Sequence, residues 1–297
     1  MTVNELFLES RVVYMKFNIE LEYTPRSPVD GIPYTEASFV RRKTPFTFDV
    51  TEIGVALIDV WNFGWENSPV VDSLGYELSL ERGVSHARRK REITINAIKP
   101  TVDELRKIGV QIFHCNHKPF LEIYPQWHSS TIPDERITSN QYSTSSTSHK
   151  GNYPSIEWVD SWKGKHIDDV FNSKWMEIQG DAYEQISIPK TMEPQEGDIL
   201  VYSHQQFHRL LQKKQIRVLF YMGFETDECV QHSDYGIVNM NSYGYMTNIV
   251  RDCTTTYESA ETLNGLWRTK VAIESIEKKW GYSICSFDLV DALKKGE

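Results

Sequence analysis

The sequence predicts an α/β fold in which a mainly parallel sheet is covered by helices on both faces, and three observations predict it. Six short, continuously apolar runs, at 55–58, 110–113, 199–202, 218–222, 247–250 and 282–286, have the length and composition of strands buried on two sides. The stretches between them show helical periodicity with start and stop residues, the alternation that gives parallel strands. The 297 residues are 40% hydrophobic and 12% aromatic, ample for a large core.

Taken in chain order, residues 1–50 alternate β-like runs at 12–17 and 39–42 with Pro25, Pro28, Pro33 and Pro45, and read as an arm packed on the domain that follows. That domain is expected over 51–297. The stretch from 85 to 107 reads as helix with a kink or break at Pro100, and 205–214 as a short amphipathic helix. Two longer helices are expected. One covers 228–241, with Val230, Ile237, Val238 and Met240 on its apolar face, and the other covers 260–280 and stops at Gly281. Residues 119–183, rich in Ser, Thr, Pro and Trp, read as a long insertion at the mouth of the sheet, a lid or a subunit contact.

A net charge of −9 argues against a nucleic-acid partner, which needs a basic face. The basic run of Arg82, Arg88, Arg89, Lys90 and Arg91 is diluted by Glu81 and Glu92, and reads as a solvated helix face. The first residues lack a basic segment followed by an apolar one, and no stretch of eighteen apolar residues occurs, so no membrane partner and a cytoplasmic location are expected. Cys115, Cys229, Cys253 and Cys285 form no CxxC pair and suggest neither a disulfide framework nor a zinc ribbon. Cys115, Cys253 and Cys285 are assigned to packing near strand ends.

In open α/β sheets, ligands bind beyond the carboxyl ends of the strands. The residues following each expected strand are chemically dense: Asp59 after the first, His114 to Lys118 after the second, Ser203 and His204 after the third, Gly223 to Cys229 after the fourth, and Arg251 to Cys253 after the fifth. Cys229 stands where the chain turns from strand into helix, and a helix N-terminus favours a thiolate. The backbone N–H groups of Glu225 and Cys229 are placed to hold an oxyanion. On position alone, a buried core cysteine is an equal alternative.

The block from Leu219 to Thr262, with Gly223, Thr226, Cys229 and Val230, resembles the strand–turn–helix of the isochorismatase-like cysteine hydrolases. ALIDVWNF is similar to their first-strand motif, with Asp59, Asn62 and Phe63 matched and Trp61 in place of a glutamine, and Gly197 to Leu200 matches the approach to their third strand. The resemblance implies a six-stranded sheet and a cysteine, aspartate and lysine triad. Cys229 would be the nucleophile and Asp59 the general base and acid, cleaving a C–N amide or carbamoyl bond in a small molecule through a thioester, with no cofactor. The alternative is a catalytically silent protein of this fold that binds a small molecule or a partner.

The lysine is missing after Gly197 and Asp198, where Ser203 or His204 stands instead. His204 is the first candidate to replace it, and Lys118 or His117 the others. Trp61, Asn62, His117, Lys118 and Thr226 are expected to contact substrate. Nicotinamidases of the family hold a metal near this loop, and His117 with His128 is a weak alternative of that kind, since Asn116 stands where a carboxylate is expected. For most of Trp61, Trp65, Phe120, Tyr124, Trp127, Trp158 and Trp162, ordinary packing is the default, with Trp61 the exception. The arm and the insertion make a homo-oligomer plausible.

Overall fold

A computed structural model of the chain describes residues 16–62, 81–137, 153–170 and 186–295, without the side chains of 81–85. Phe63, Trp65, the start of the 12–17 run and much of the 119–183 insertion lie outside the described residues.

The strands are β1 (Lys16–Tyr23), β2 (Arg42–Asp49), β3 (Ile53–Ile58), β4 (Gln111–Cys115), β5 (Ile199–Val201), β6 (Val218–Phe224), β7 (Met246–Thr255) and β8 (Gly281–Ile284). The helices are α1 (Glu81–Ile93), α2 (Lys99–Ile108), α3 (Lys118–Leu121), α4 (Trp127–Ser130), α5 (Pro133–Ile137), α6 (Ile156–Val170), α7 (His204–Lys214), α8 (Cys229–His232), α9 (Ile237–Ser242), α10 (Trp267–Lys279) and α11 (Ser286–Lys294).

One sheet runs in the order β2-β1-β8-β7-β6-β3-β4-β5. From β8 to β5 all pairs are parallel, as continuous apolar runs require. The sheet has eight strands and not the six expected, because β1 and β2 form an antiparallel hairpin that joins the sheet on β8. The reason is legible in β1, where Phe17, Ile19 and Leu21 are buried and alternate with exposed Lys16, Asn18 and Glu20. Such period-two burial belongs to a strand with one solvated face.

Alternate residues of the central strands feed two cores. Val55, Leu57, Phe220 and Met222 pack on one face with Ile98, Val102 and Leu105 near and on α2 and with Leu289 and Leu293 of α11. Ala56, Ile58, Leu219 and Tyr221 pack on the other with Phe207 and Leu210 of α7, Val230, Ile237, Met240 and Ile276. Three helical readings are corrected. The chain does not break at Pro100 but passes from α1 through a π-helical turn, Thr94–Ile98, into α2, where Pro100 sits in the first turn and needs no N–H partner. The helix expected over 228–241 is two short ones, α8 and α9, separated by a turn at 233–236. The helix expected from 260 starts at Trp267, after turns that include Leu266 at φ 54°.

Behind the sheet's carboxyl edge, Asp198 ties β4, α2 and β5 together. Its Oδ2 lies 3.0 Å from His114 Nε2 and 2.6 Å from Arg106 Nη2, and it accepts the Gln195 N–H at 2.9 Å. Burial alone would raise the carboxyl pKa, but the His114 and Arg106 contacts outweigh it and hold Asp198 below its ordinary value of 3.8. A depressed carboxylate stabilises the fold above its unfolded pKa, and that contribution disappears as pH falls through the folded one. Asp198→Asn is therefore expected to cost about 2 kcal/mol at pH 7, since it removes the closer of the two carboxylates on the half-buried Arg106 and leaves it Asp103 at 3.5 Å. Urea unfolding measures it, and the difference from wild type should shrink on acidification below 3.8.

Candidate active site

The strand order reverses between β3 and β6, which lie side by side although β4 and β5 intervene in sequence. This is the topological switch point, where an α/β sheet opens a crevice at its carboxyl edge. Asp59 follows β3, and Cys229 follows β6 at the first residue of α8. Gly223 brings the two strand ends together. It faces Ile58 across the ladder with φ +117°, and a Cβ there would meet the Ile58 carbonyl oxygen at 2.0 Å.

Asp59 is 2% exposed and has a left-handed backbone, φ 46°, fixed by its N–H to Cys115 O at 3.1 Å. Its Oδ1 accepts the Tyr235 hydroxyl at 2.8 Å. Its Oδ2 is buried with no hydrogen-bond partner among the described residues. Burial raises the Asp59 pKa above 3.8, against the opposing influences of His117, the Tyr235 bond, the Cys229 thiol and Lys90. Burial, followed by the charge and hydrogen bond of Asp59 and the charge of Glu225, pushes the Cys229 thiol far above its ordinary value, against a backbone bond from Glu225. At rest Cys229 is thus a protonated thiol, not the free thiolate that a helix N-terminus alone would favour. The α8 helix is only one turn long, and burial together with the neighbouring Asp59 and Glu225 outweighs its end.

The turn between β6 and α8 is firmly braced. Thr226 donates its N–H to Thr255 O at 3.0 Å and shares a 2.7 Å hydroxyl contact with Thr254, so this buried side chain holds the turn. The Asp227 carboxylate accepts from Thr256 and from the Arg268 guanidinium. The Glu225 carbonyl accepts the N–H groups of Glu228 and Val230 at 3.0 and 3.1 Å, closing the turn around the Cys229 backbone.

On the β4 side, Asn116 organises the wall. Its Oδ1 accepts from Trp61 Nε1 and from the His117 backbone, both at 2.8 Å, and the Trp61, His117 and Phe120 rings stand 5.8 to 6.0 Å apart. This gives the expected metal-side aspartate position a different task, that of fixing an aromatic wall. Among the described residues no group of three or more His, Cys, Asp or Glu side chains is arranged to hold a metal ion. Asn62 pairs with Ser187 through its backbone and its Oδ1, tying the chain after β3 to the approach to β5. Lys118 is buried with its Nζ on Arg136 O at 2.7 Å, and His128 lies on α4.

The His204 imidazole is paired instead with Asp234, Nδ1 to Oδ1 at 2.6 Å, on a half-exposed surface beside Tyr243. The basic side chains that act on Asp59 are His117, after β4, and Lys90, on α1. Trp158 and Trp162 are exposed on α6, while Trp127 packs on Tyr202. Cys115 and Cys253 are buried, and Cys285 is half-buried beside Arg251.

Two groups escape strand-end reasoning. Tyr235 lies in the turn between α8 and α9, where the sequence Ser233-Asp234-Tyr235-Gly236 carries a turn signal inside what otherwise reads as one helix. Lys90 comes from α1, where it reaches Glu225 Oε1 at 3.0 Å.

No family model matches the chain. The ureidoacrylate amidohydrolase RutB of Agrobacterium fabrum (strain C58) is 24% identical over 223 residues, 69% of this chain and 78% of the relative. Among solved structures, a cysteine hydrolase from Pseudomonas syringae pv. phaseolicola 1448A is similar with a TM-score of 0.45 at 11% identity, covering 83% of this chain and 94% of that one. An isochorismatase from Pseudomonas putida KT2440 gives 0.43 at 15%, covering 80% and 90%. A nicotinamidase from Bacillus subtilis gives 0.38 at 14%, covering 79% and 99%. Among the described residues, no helix is long and apolar enough to cross a membrane. In its motif residues, in a mainly parallel sheet flanked by helices and in its likeness to a ureidoacrylate amidohydrolase, the chain resembles the isochorismatase-like cysteine hydrolases.

Proposed function

We propose that the protein is a cysteine-dependent hydrolase of a C–N amide or carbamoyl bond in a small molecule. The observation that carries this reading is the meeting of Asp59 and Cys229 at the switch point, where the buried Asp59 carboxyl group and the Cys229 thiol act on each other while Tyr235 holds Oδ1 and Oδ2 is left without a partner among the described residues. The likeness to an amidohydrolase supports the bond type.

Cys229 Sγ attacks the carbonyl carbon as its proton passes to Asp59. The oxyanion is held by the backbone N–H groups of Glu225 and Cys229. Collapse breaks the C–N bond, and Asp59 returns the proton to the departing nitrogen, leaving an acyl group as a thioester on Cys229. Water then attacks the thioester and gives a proton to Asp59. Collapse frees the acid and the sulfur, which takes that proton back. The raised pKa of Asp59 suits this traffic, because a base nearer neutrality is also a better acid toward the leaving amine. Trp61, His117 and Phe120 offer the substrate an aromatic wall, and no cofactor enters any step.

The test is incubation with a panel of small amides and carbamoyl compounds. Ammonia or amine release should accompany a transient acyl adduct, found by mass spectrometry on the peptide that holds Cys229. Turnover with the adduct on another residue, or turnover undiminished in Cys229→Ala, rejects the mechanism.

A further inference from the structure

The basic run on α1 divides by helix face. Arg88 and Arg91 are exposed as a solvated face requires, but Lys90 is only 5% exposed and points into the site. Its Nζ lies 3.0 Å from Glu225 Oε1 and 5.6 Å from the centroid of the Phe224 ring. His86, one turn earlier, brings Nε2 to 3.2 Å from the same oxygen and stacks on Tyr257. Arg89 fastens this stretch of helix to the end of β7, donating to Thr255 Oγ1 at 2.8 Å and Thr256 O at 3.0 Å.

Glu225 is 6% exposed, and its Oε2 is buried without a hydrogen-bond partner among the described residues. Burial would raise its pKa, but the Lys90 charge and the His86 contact hold it below the ordinary carboxylate value. Glu225 is therefore held ionised at the site, and its charge acts on the Cys229 sulfur. A negative charge beside a thiol opposes removal of its proton, and in a poorly hydrated setting water does little to screen it. Among the described residues, the titratable and charged groups that bear on Cys229 and its neighbours are Asp59 after β3, Cys115 at the end of β4, His117 before α3, Glu225 after β6, Tyr235 after α8, and His86, Arg89 and Lys90 on α1. Within this set Lys90 acts on both carboxylates and makes direct contact with one.

We propose, resting on the nucleophile role of Cys229 given above, that Lys90 is a positioning residue which cancels the charge of Glu225, so that Asp59 alone governs the Cys229 proton. The positive charge of the site thus comes from α1 and not from the segment after β5, where His204 faces Asp234.

Alkylation of Cys229 by iodoacetamide, followed as a rate at one fixed alkaline pH, tests this without knowledge of the substrate, because below the thiol pKa the rate follows the small thiolate fraction. Peptide mass spectrometry separates Cys229 from the half-buried Cys285. Lys90→Met is expected to slow Cys229 by about tenfold or more. Lys90→Arg should keep the rate near wild type, and Lys90→Met combined with Glu225→Gln should restore it. Glu225→Gln alone, which retains Lys90, should raise the rate, and it serves if Lys90→Met fails to fold in a thermal scan. A Lys90→Met rate equal to wild type, a double variant that stays with the single one, or a Glu225→Gln rate unchanged or lowered overturns the proposal alone. Amide turnover undiminished in Cys229→Ala overturns the nucleophile reading and this one with it.

Discussion

Asp59→Asn is expected to lower amide turnover by about 10³-fold or more while leaving the protein at least as stable as wild type at pH 7. The activity loss follows from the proposed proton path, since asparagine can neither accept the Cys229 proton nor return one to the leaving nitrogen. The stability follows from burial, because the folded pKa of Asp59 lies above its unfolded value of 3.8. Such an acid holds its proton more tightly when folded, so its ionisation subtracts stability as pH rises through the window between the two values, and the subtraction is complete above the folded pKa. The uncharged amide avoids that cost and keeps an oxygen for the Tyr235 hydroxyl, which donates at 2.8 Å. Urea unfolding at pH 7 and again near 3.8 should show the variant's advantage vanish at the lower pH. A variant that retains wild-type turnover would remove Asp59 from the mechanism.

Gly223→Ala is the substitution expected to damage the fold most. A methyl group at this position would stand 2.0 Å from the Ile58 carbonyl oxygen and 2.8 Å from its carbonyl carbon and nitrogen, all backbone atoms that cannot move without displacing β3. The φ of +117° adds a conformational cost for any L side chain. A loss of about 4 kcal/mol or more is expected, read as a fall in Tm of about 10 °C. Gly109→Ala provides the comparison, since φ there is +94° but nothing lies within 4 Å of the added Cβ. It should cost about 1 kcal/mol, and the difference between the two isolates the clash. Equal effects would show that the β3–β6 approach is not tight.

The six apolar runs all became strands because burial on both faces leaves a signature in composition that needs no partner to be read. The hairpin of β1 and β2 was harder, since four prolines obscure an alternation confined to Phe17, Ile19 and Leu21, and the strand's place beside β8 depends on a residue more than 250 positions away. The places of Asp59 and Cys229 at the strand ends were legible because fold class says where strand ends gather, and the motif resemblance singled them out among the groups found there. Tyr235 and Lys90 were not. Tyr235 reaches Asp59 only because the expected helix is broken after His232, and Lys90 differs from exposed Arg88 and Arg91 only in the rotation of α1, which Arg89 sets against β7. His204 had the right sequence position, but its neighbour Asp234 claims it.

Because β3 and β6 are interior strands, each bonded to a neighbour on both sides, the peptide groups leading to Asp59 and Cys229 exchange with solvent only when most of the sheet opens. Amide hydrogen exchange at these positions is therefore expected to be among the slowest in the chain, while the four-residue helix that begins with Cys229, held by a single turn of backbone bonds, is expected to exchange sooner.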